Sequence, residues 1–316
     1  MRSARQEAFD RLHGRYEVRV LEPSPPAIKT GPWFADDPAA RGTPPTGREL
    51  VSPVSKGDLQ WNDLLLEHEG LAEWCSDRWL GAYRTLLPAP PKLVETRNEL
   101  HRLAEHVISP ARAAVNSKIG LRWTHDGFGT PYFGEDVQVR VEGEQLILDS
   151  SAGLVREPIE SLANAAALVG VALGEDAETS VDPRNQPLAV DHAAAACIYD
   201  WFGFVTNVLE QLRAEAGPEL ESSRVQIWPE HFDASVEFGS EAAGERAGFG
   251  GSPGDAEHPE PYLYVVPWDP SLADGEAWNS EAFNGAELGY SQLLETETQR
   301  ELALEFFRSR LRLLVD

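Results

Sequence analysis

The stretch from Arg224 to Trp268 constrains this chain more than any other. Two strand-like runs, RVQIWPEHFDASVEFG and PYLYVVPW, are separated by a glycine-rich segment, GFGGSPGD, and an acidic run. From His231 the residues alternate. Phe232, Ala234, Val236 and Phe238 fall on one face and His231, Asp233, Ser235 and Glu237 on the other, because successive strand side chains point to opposite sides. The apolar set demands a core against one face of a sheet. The polar set predicts either a solvated face or the floor of a pocket, and that choice governs every functional reading of the chain.

Around this stretch the pattern alternates between helical and extended. Residues 1–58 carry SPPAIKTGPW and GTPPTGREL between short apolar pieces and read as a Pro/Gly-rich arm, with Trp33 and Phe34 as anchors. Gln60 to Leu87 has helical apolar spacing, stopped by LPAPPKLV, since proline lacks an amide donor and restricts the residue before it. A second helix is expected from Glu95 to Val115, kinked or divided at Pro110. Alternation at Ile119, Leu121 and Trp123, then at Val137, Val139 and Val141, then at Leu146 and Leu148 predicts at least three short strands, with a hairpin turn at Glu142 to Glu144. Helix resumes over residues 157–173, and GEDAETSVDPRNQP is a linker.

Val190 to Leu212 gives the cleanest helical periodicity. Val190, Ala194, Cys197, Trp201, Val205, Val208 and Leu212 share one face, while His192, Tyr199, Asp200, Gly203 and Asn207 form an opposite stripe expected to face water. A strand or irregular segment over WNSEAFNGAELGYSQLL and a final helix over Thr296 to Leu314 complete the chain. Both halves thus run helix, strands, helix. Ser117 to Leu121 can be laid on Ser223 to Ile227, which would put His125 and Asp126 near the places of His231 and Asp233. The expected fold is α+β, with antiparallel sheet regions flanked by helices and two pseudo-repeated halves. The arm spans 1–58, the first half 59–180 and the second 181–316, packed as one globular unit with a ligand cleft between the halves.

Composition narrows the partners. Asp and Glu number 52 against 27 Lys and Arg, a net charge of -25. Such a charge repels nucleic acid and anionic membrane surfaces, so neither is an expected partner. No run reaches the ~18 apolar residues of a membrane helix, and MRSARQEAFDRLHG has no apolar core of a secretory signal. The expected location is cytoplasmic. Cys75 and Cys197 lack CxxC spacing and read as small hydrophobes rather than a disulfide or zinc site.

GFGTPYFGEDVQVRVEG, WPEHFD, GGSPGD and PEPYLYVVPW together resemble an uncharacterised bacterial family, mainly actinobacterial, classed as a domain of unknown function. The resemblance covers about residues 60–316. It implies an α+β cytosolic protein and brings no activity, substrate or catalytic residue with it.

The chemistry-bearing residues gather near the same stretch. His231 is a candidate general base, oriented by Asp233 or Glu230, because imidazole titrates near neutrality. Glu230, Trp228, Asp255 and Trp268 are candidate ligand-binding residues, the tryptophans suiting a sugar or a cationic or aromatic metabolite. His231, Asp233, Asp255 and His258 are the candidate ligands of a divalent metal, although no HExxH or similar local spacing occurs. His101 and His106 are read as separate surface or core residues. GFGGSPGD lacks the GxxxxGK[ST] pattern, has no lysine near it, and is read as a hairpin connection. Three classes of function fit: a small-molecule binding protein or enzyme using His231 and Asp233, a metal-dependent hydrolase at the same place, and a noncatalytic interaction module.

Overall fold

The computed structural model describes residues 85–315 apart from 125, 132, 135–136, 151, 174–185 and 217. The arm, the helix expected from Gln60 as far as residue 84, Cys75, His125 and most of the linker lie outside the described residues.

The first half opens with helical chain in three pieces: α1 (Leu93–Leu103), a π-helical turn (Ala104–Ile108) and α2 (Ser109–Asn116). Pro110 falls just after the π turn. Proline removes an amide and crowds the carbonyl four residues back, and a local switch to wider winding accommodates this without ending the helix. Five strands follow: β1 (Arg122–Thr124), β2 (Gly127–Gly129), β3 (Gln138–Glu142), β4 (Gln145–Ser150) and β5 (Gly153–Pro158). Each pairs antiparallel with the next. The β3–β4 turn falls at Gly143 and Glu144, within the expected Glu142 to Glu144. The helix expected from residue 157 instead begins with α3 (Leu162–Val169), because residues 153–158 form the exposed edge strand β5. Ser161 caps α3 by accepting from the Asn164 amide at 3.2 Å.

The rest of the chain also runs from helix through strands to helix. Helix α4 (His192–Glu215) leads into β6 (Gln226–Trp228), β7 (Asp233–Phe238), β8 (Ala247–Ser252), β9 (Tyr262–Pro267) and β10 (Ala286–Gly289), again a five-stranded antiparallel sheet in sequence order. It closes with α5 (Tyr290–Leu294) and α6 (Gln299–Val315). The two sheets meet where Leu121 and Ile227 exchange backbone hydrogen bonds of 2.8 and 2.9 Å. The α+β class with antiparallel sheets and flanking helices is therefore the observed one.

Helix α4 is the hub. Asp191 caps it by accepting from the Ala194 amide, and the helix packs against β1 and β2 of one sheet, β7 and β8 of the other, and α1 and α6. Its polar stripe is only partly solvated: His192 is exposed and Asp200 half-buried, whereas the rest of the stripe is covered. Tyr199 and Asn207 are buried, as Trp201, Phe202, Phe204 and Val205 are, because neighbours cover both sides of the helix. Tyr199 donates to the Gly143 carbonyl at 2.9 Å, and Asn207 accepts from Arg300 at 2.7 Å. Cys197 is a half-buried free thiol whose pKa burial raises.

Candidate functional site

The alternation read from the sequence holds in β7, but the strand starts two residues later than expected. Asp233 is its first residue, while Pro229, Glu230, His231 and Phe232 form the turn joining β6 to β7. In that turn the Phe232 amide donates to the Trp228 carbonyl at 2.7 Å. Phe232 adopts φ 53, a left-handed conformation that is an outlier for a bulky residue. Its ring fixes the turn: it packs at 5.1 and 5.2 Å on Phe202 and Phe128 and stacks on His101 at 5.4 Å. A strained residue held this firmly presents Glu230 and His231 in one geometry.

GFGGS is not a hairpin connection. Residues 247–252 form β8, in the middle of the second sheet between β7 and β9. The reason for glycine lies in Tyr264, which pairs with Gly250 across the sheet. A Cβ on Gly250 would stand 2.5 Å from the Tyr264 hydroxyl. The bare strand lets the tyrosine lie across it, and its hydroxyl donates to Asp233 Oδ2 on β7. Burial first, and Asp233 second, raise the Tyr264 pKa well above its usual value, so the phenol keeps its proton.

Above this face lies a cavity of about 510 Å³, within the usual range of small-molecule pockets, ~300–1,000 Å³. Its wall is α1, contributing Val94, Arg97 and His101, and its other sides come from Glu230, His231, Asp233, Ser252, Asp255, Tyr264 and Phe283. Residues of both halves thus line it. Asp233 is 6% exposed and Arg97 5% exposed. Asp233 Oδ1 is buried with no hydrogen-bond partner among the described residues. Arg97 donates to Asn98 Oδ1 from Nε and Nη2 at 3.3 and 3.1 Å, and to the His258 carbonyl at 3.5 Å. All of these acceptors are neutral. Burial lowers its pKa somewhat, opposed by Asp255, and the guanidinium remains charged.

His101, expected to be a surface or core residue, is the group sequence reading missed. It follows Arg97 by four residues on α1 and so shares its helix face. Burial lowers its pKa, against the opposing effects of Glu105 and of hydrogen bonds to the Pro229 and Glu230 backbone. Its Nε2 is buried without a partner among the described residues. His101 is part of the cavity lining, and burial favours its neutral form, the form of an imidazole that accepts a proton. The sequence signal was the i, i+4 pair Arg97 and His101; pairing His101 with His106 hid it. His106 is 48% exposed, beside Glu105.

The other expected site residues divide. Glu230, His231, Asp233 and Asp255 line the cavity, whereas Trp228, Trp268 and His258 are not among its lining residues. Trp268 packs under the Arg246 guanidinium, 5.9 Å from its ring centre. Trp228 pairs with Asp233 through the backbone of β6. Asp255 and His258 pair with each other at 3.2 Å, and His258 also approaches Glu287 at 3.5 Å. Asp255 Oδ2 accepts from Tyr262 at 2.7 Å, and its Oδ1 accepts the amides of Glu257 and His258. These bonds tie Asp255 into its own loop. Among the described residues no group of three or more His, Cys, Asp or Glu is arranged to hold a metal, so the four expected ligands do not converge into one donor set.

The second sheet and its cavity define an α+β protein with a buried, charged pocket. Comparison with protein-family profiles, with curated proteins and with solved structures gives no match. No described helix is long and apolar enough to cross a membrane.

Proposed function

We propose that this protein binds a small molecule in the cavity between α1 and the outer face of the second sheet, and that Asp233 is its main anchoring group. The carrying observation is Asp233 itself: a buried carboxyl on the cavity lining, with one oxygen bonded to Tyr264 and the other buried without a hydrogen-bond partner among the described residues. Leaving a buried charged or polar atom unmatched costs about 1–3 kcal/mol or more, and a ligand donor removes that cost. If the ligand is transformed, His101 and His231 are the groups to move a proton, and Tyr264 holds Asp233 in place. A thermal-shift screen of metabolites against wild type and Asp233→Asn tests this. The expected result is a set of compounds that stabilise the wild type and lose that effect in the variant. Compounds that stabilise both equally, together with no compound specific to the wild type, would reject the cavity as the site.

A further inference from the structure

The cavity holds two buried charges of opposite sign that do not pair with each other. Arg97 and Asp233 both line it and both are at least nine-tenths buried. Among the described residues neither forms an ion pair: Arg97 donates only to the Asn98 and His258 oxygens, and Asp233 accepts only from Tyr264. Buried opposite charges attract strongly when water is excluded, and isolated ones are expensive. A fold that buries both on one cavity and keeps them apart has left the space between them for something that meets each.

Arg97 has five N–H donors, and its three hydrogen bonds among the described residues leave two for a ligand. Gly254 makes this placement possible. It adopts φ 105, and a Cβ there would stand 2.5 Å from Arg97 Nη1, so the loop after β8 can close over the guanidinium only with glycine. At the other end, Asp233 Oδ1 has acceptor capacity and no donor. The lining also includes Val94, Val266 and Phe283, apolar surface suited to a short hydrocarbon body.

We propose that the ligand is zwitterionic, with an ammonium or amidinium group against Asp233 and a carboxylate or other anionic group against Arg97. This rests on the reading of the cavity as a small-molecule site. The chemistry is that of an amino acid or an amino-acid-like metabolite. Arginine suits the anionic end, because its planar fork matches a carboxylate.

A ladder of unbranched ω-amino acids of increasing length, each matched by the alkylamine, the alkanoate and the primary alcohol of the same length, tests the proposal on the full chain by ligand-observed saturation-transfer NMR. At one chain length the amino acid should bind about tenfold or more tighter than the amine and the alkanoate, each lost charge contact being worth at least ~1.4 kcal/mol. Arg97→Gln should make the amino acid bind no better than the amine, and Asp233→Asn should make it bind no better than the alkanoate. Arg97→Lys, which retains the charge, should keep part of the preference and shows that loss in Arg97→Gln is not misfolding. If the amine, the alkanoate or the alcohol binds as well as the amino acid at every length, the cavity is a ligand site and the zwitterion is wrong. If no series gives a transfer signal, the cavity is not a small-molecule site and the proposal falls with that reading.

Discussion

The two faces of the second sheet use burial for different ends. On the inner face Ala234, Val236, Phe238, Phe249, Leu263 and Val265 are buried and wholly apolar, and the contacts are ring on ring, as between Phe249 and Phe238 at 5.2 Å or Phe307 at 5.9 Å. On the outer face Asp233, Ser235, Ser252, Tyr262 and Tyr264 are buried as deeply, yet Asp233 Oδ1 has no partner among the described residues. Burial of apolar surface stabilises the fold, roughly in proportion to area. Burial of an unmatched carboxyl does the reverse, so its presence calls for a reason outside stability.

Substitutions on the two faces should therefore behave differently. The largest effect belongs to the inner face: Phe249→Ala should lose about 3–5 kcal/mol in urea unfolding, the usual loss for a truncated core aromatic. Gly250→Val sharpens the contrast from the outer side. Its side chain would collide with the Tyr264 hydroxyl and the Ala234 carbonyl, 2.5 and 2.8 Å from the new Cβ, and should cost about 1–3 kcal/mol, with a changed near-ultraviolet dichroism as Tyr264 leaves Asp233. Tyr264→Phe removes the one hydrogen-bond donor to the Asp233 side chain among the described residues, a loss of about 1–3 kcal/mol that should shrink in an Asp233→Asn background.

The acid side of the stability profile isolates His101. Its pKa is lowered in the folded protein from an ordinary 6.5, so above that pH both folded and unfolded states are neutral at this ring. As pH falls below 6.5, the unfolded chain takes the proton first and stability declines until the folded pKa is reached, with a slope of at most ~1.4 kcal/mol per pH unit. Urea midpoints of wild type and His101→Gln, taken from neutral pH downward, should diverge in that window, the wild type losing more. Parallel curves would remove His101 from the account.

Much of the second sheet was legible because alternation is a local property: Ala234, Val236 and Phe238 declare their face, and Asp233 and Ser235 the opposite one. The same pattern left a solvated face and a pocket floor equally open for that polar face, because alternation says nothing of what packs above it. The role of glycine in β8 was not legible, because Gly250 exists to admit a side chain, that of Tyr264, from the neighbouring strand. The turn start at Pro229 was missed since alternation ran through Phe232, whose left-handed backbone no periodicity reveals. Arg97 and His101 were hidden for a third reason. They stand on a helix of the first half, 136 residues before Asp233 in the case of Arg97, and only the packing of α1 brings them over the sheet. The tryptophans misled in the opposite way: nearness in sequence suggested a shared cleft, while Trp268 lies beneath Arg246.

Asp233→Asn puts the central claim to the most direct test, since it changes charge with little change of shape and needs no known ligand. Equilibrium urea unfolding at neutral pH should show the variant as stable as wild type or more so, because a buried carboxyl is replaced by a neutral group that still accepts from Tyr264. A loss of stability comparable to that of Phe249→Ala would contradict the account and make Asp233 a structural member of the fold.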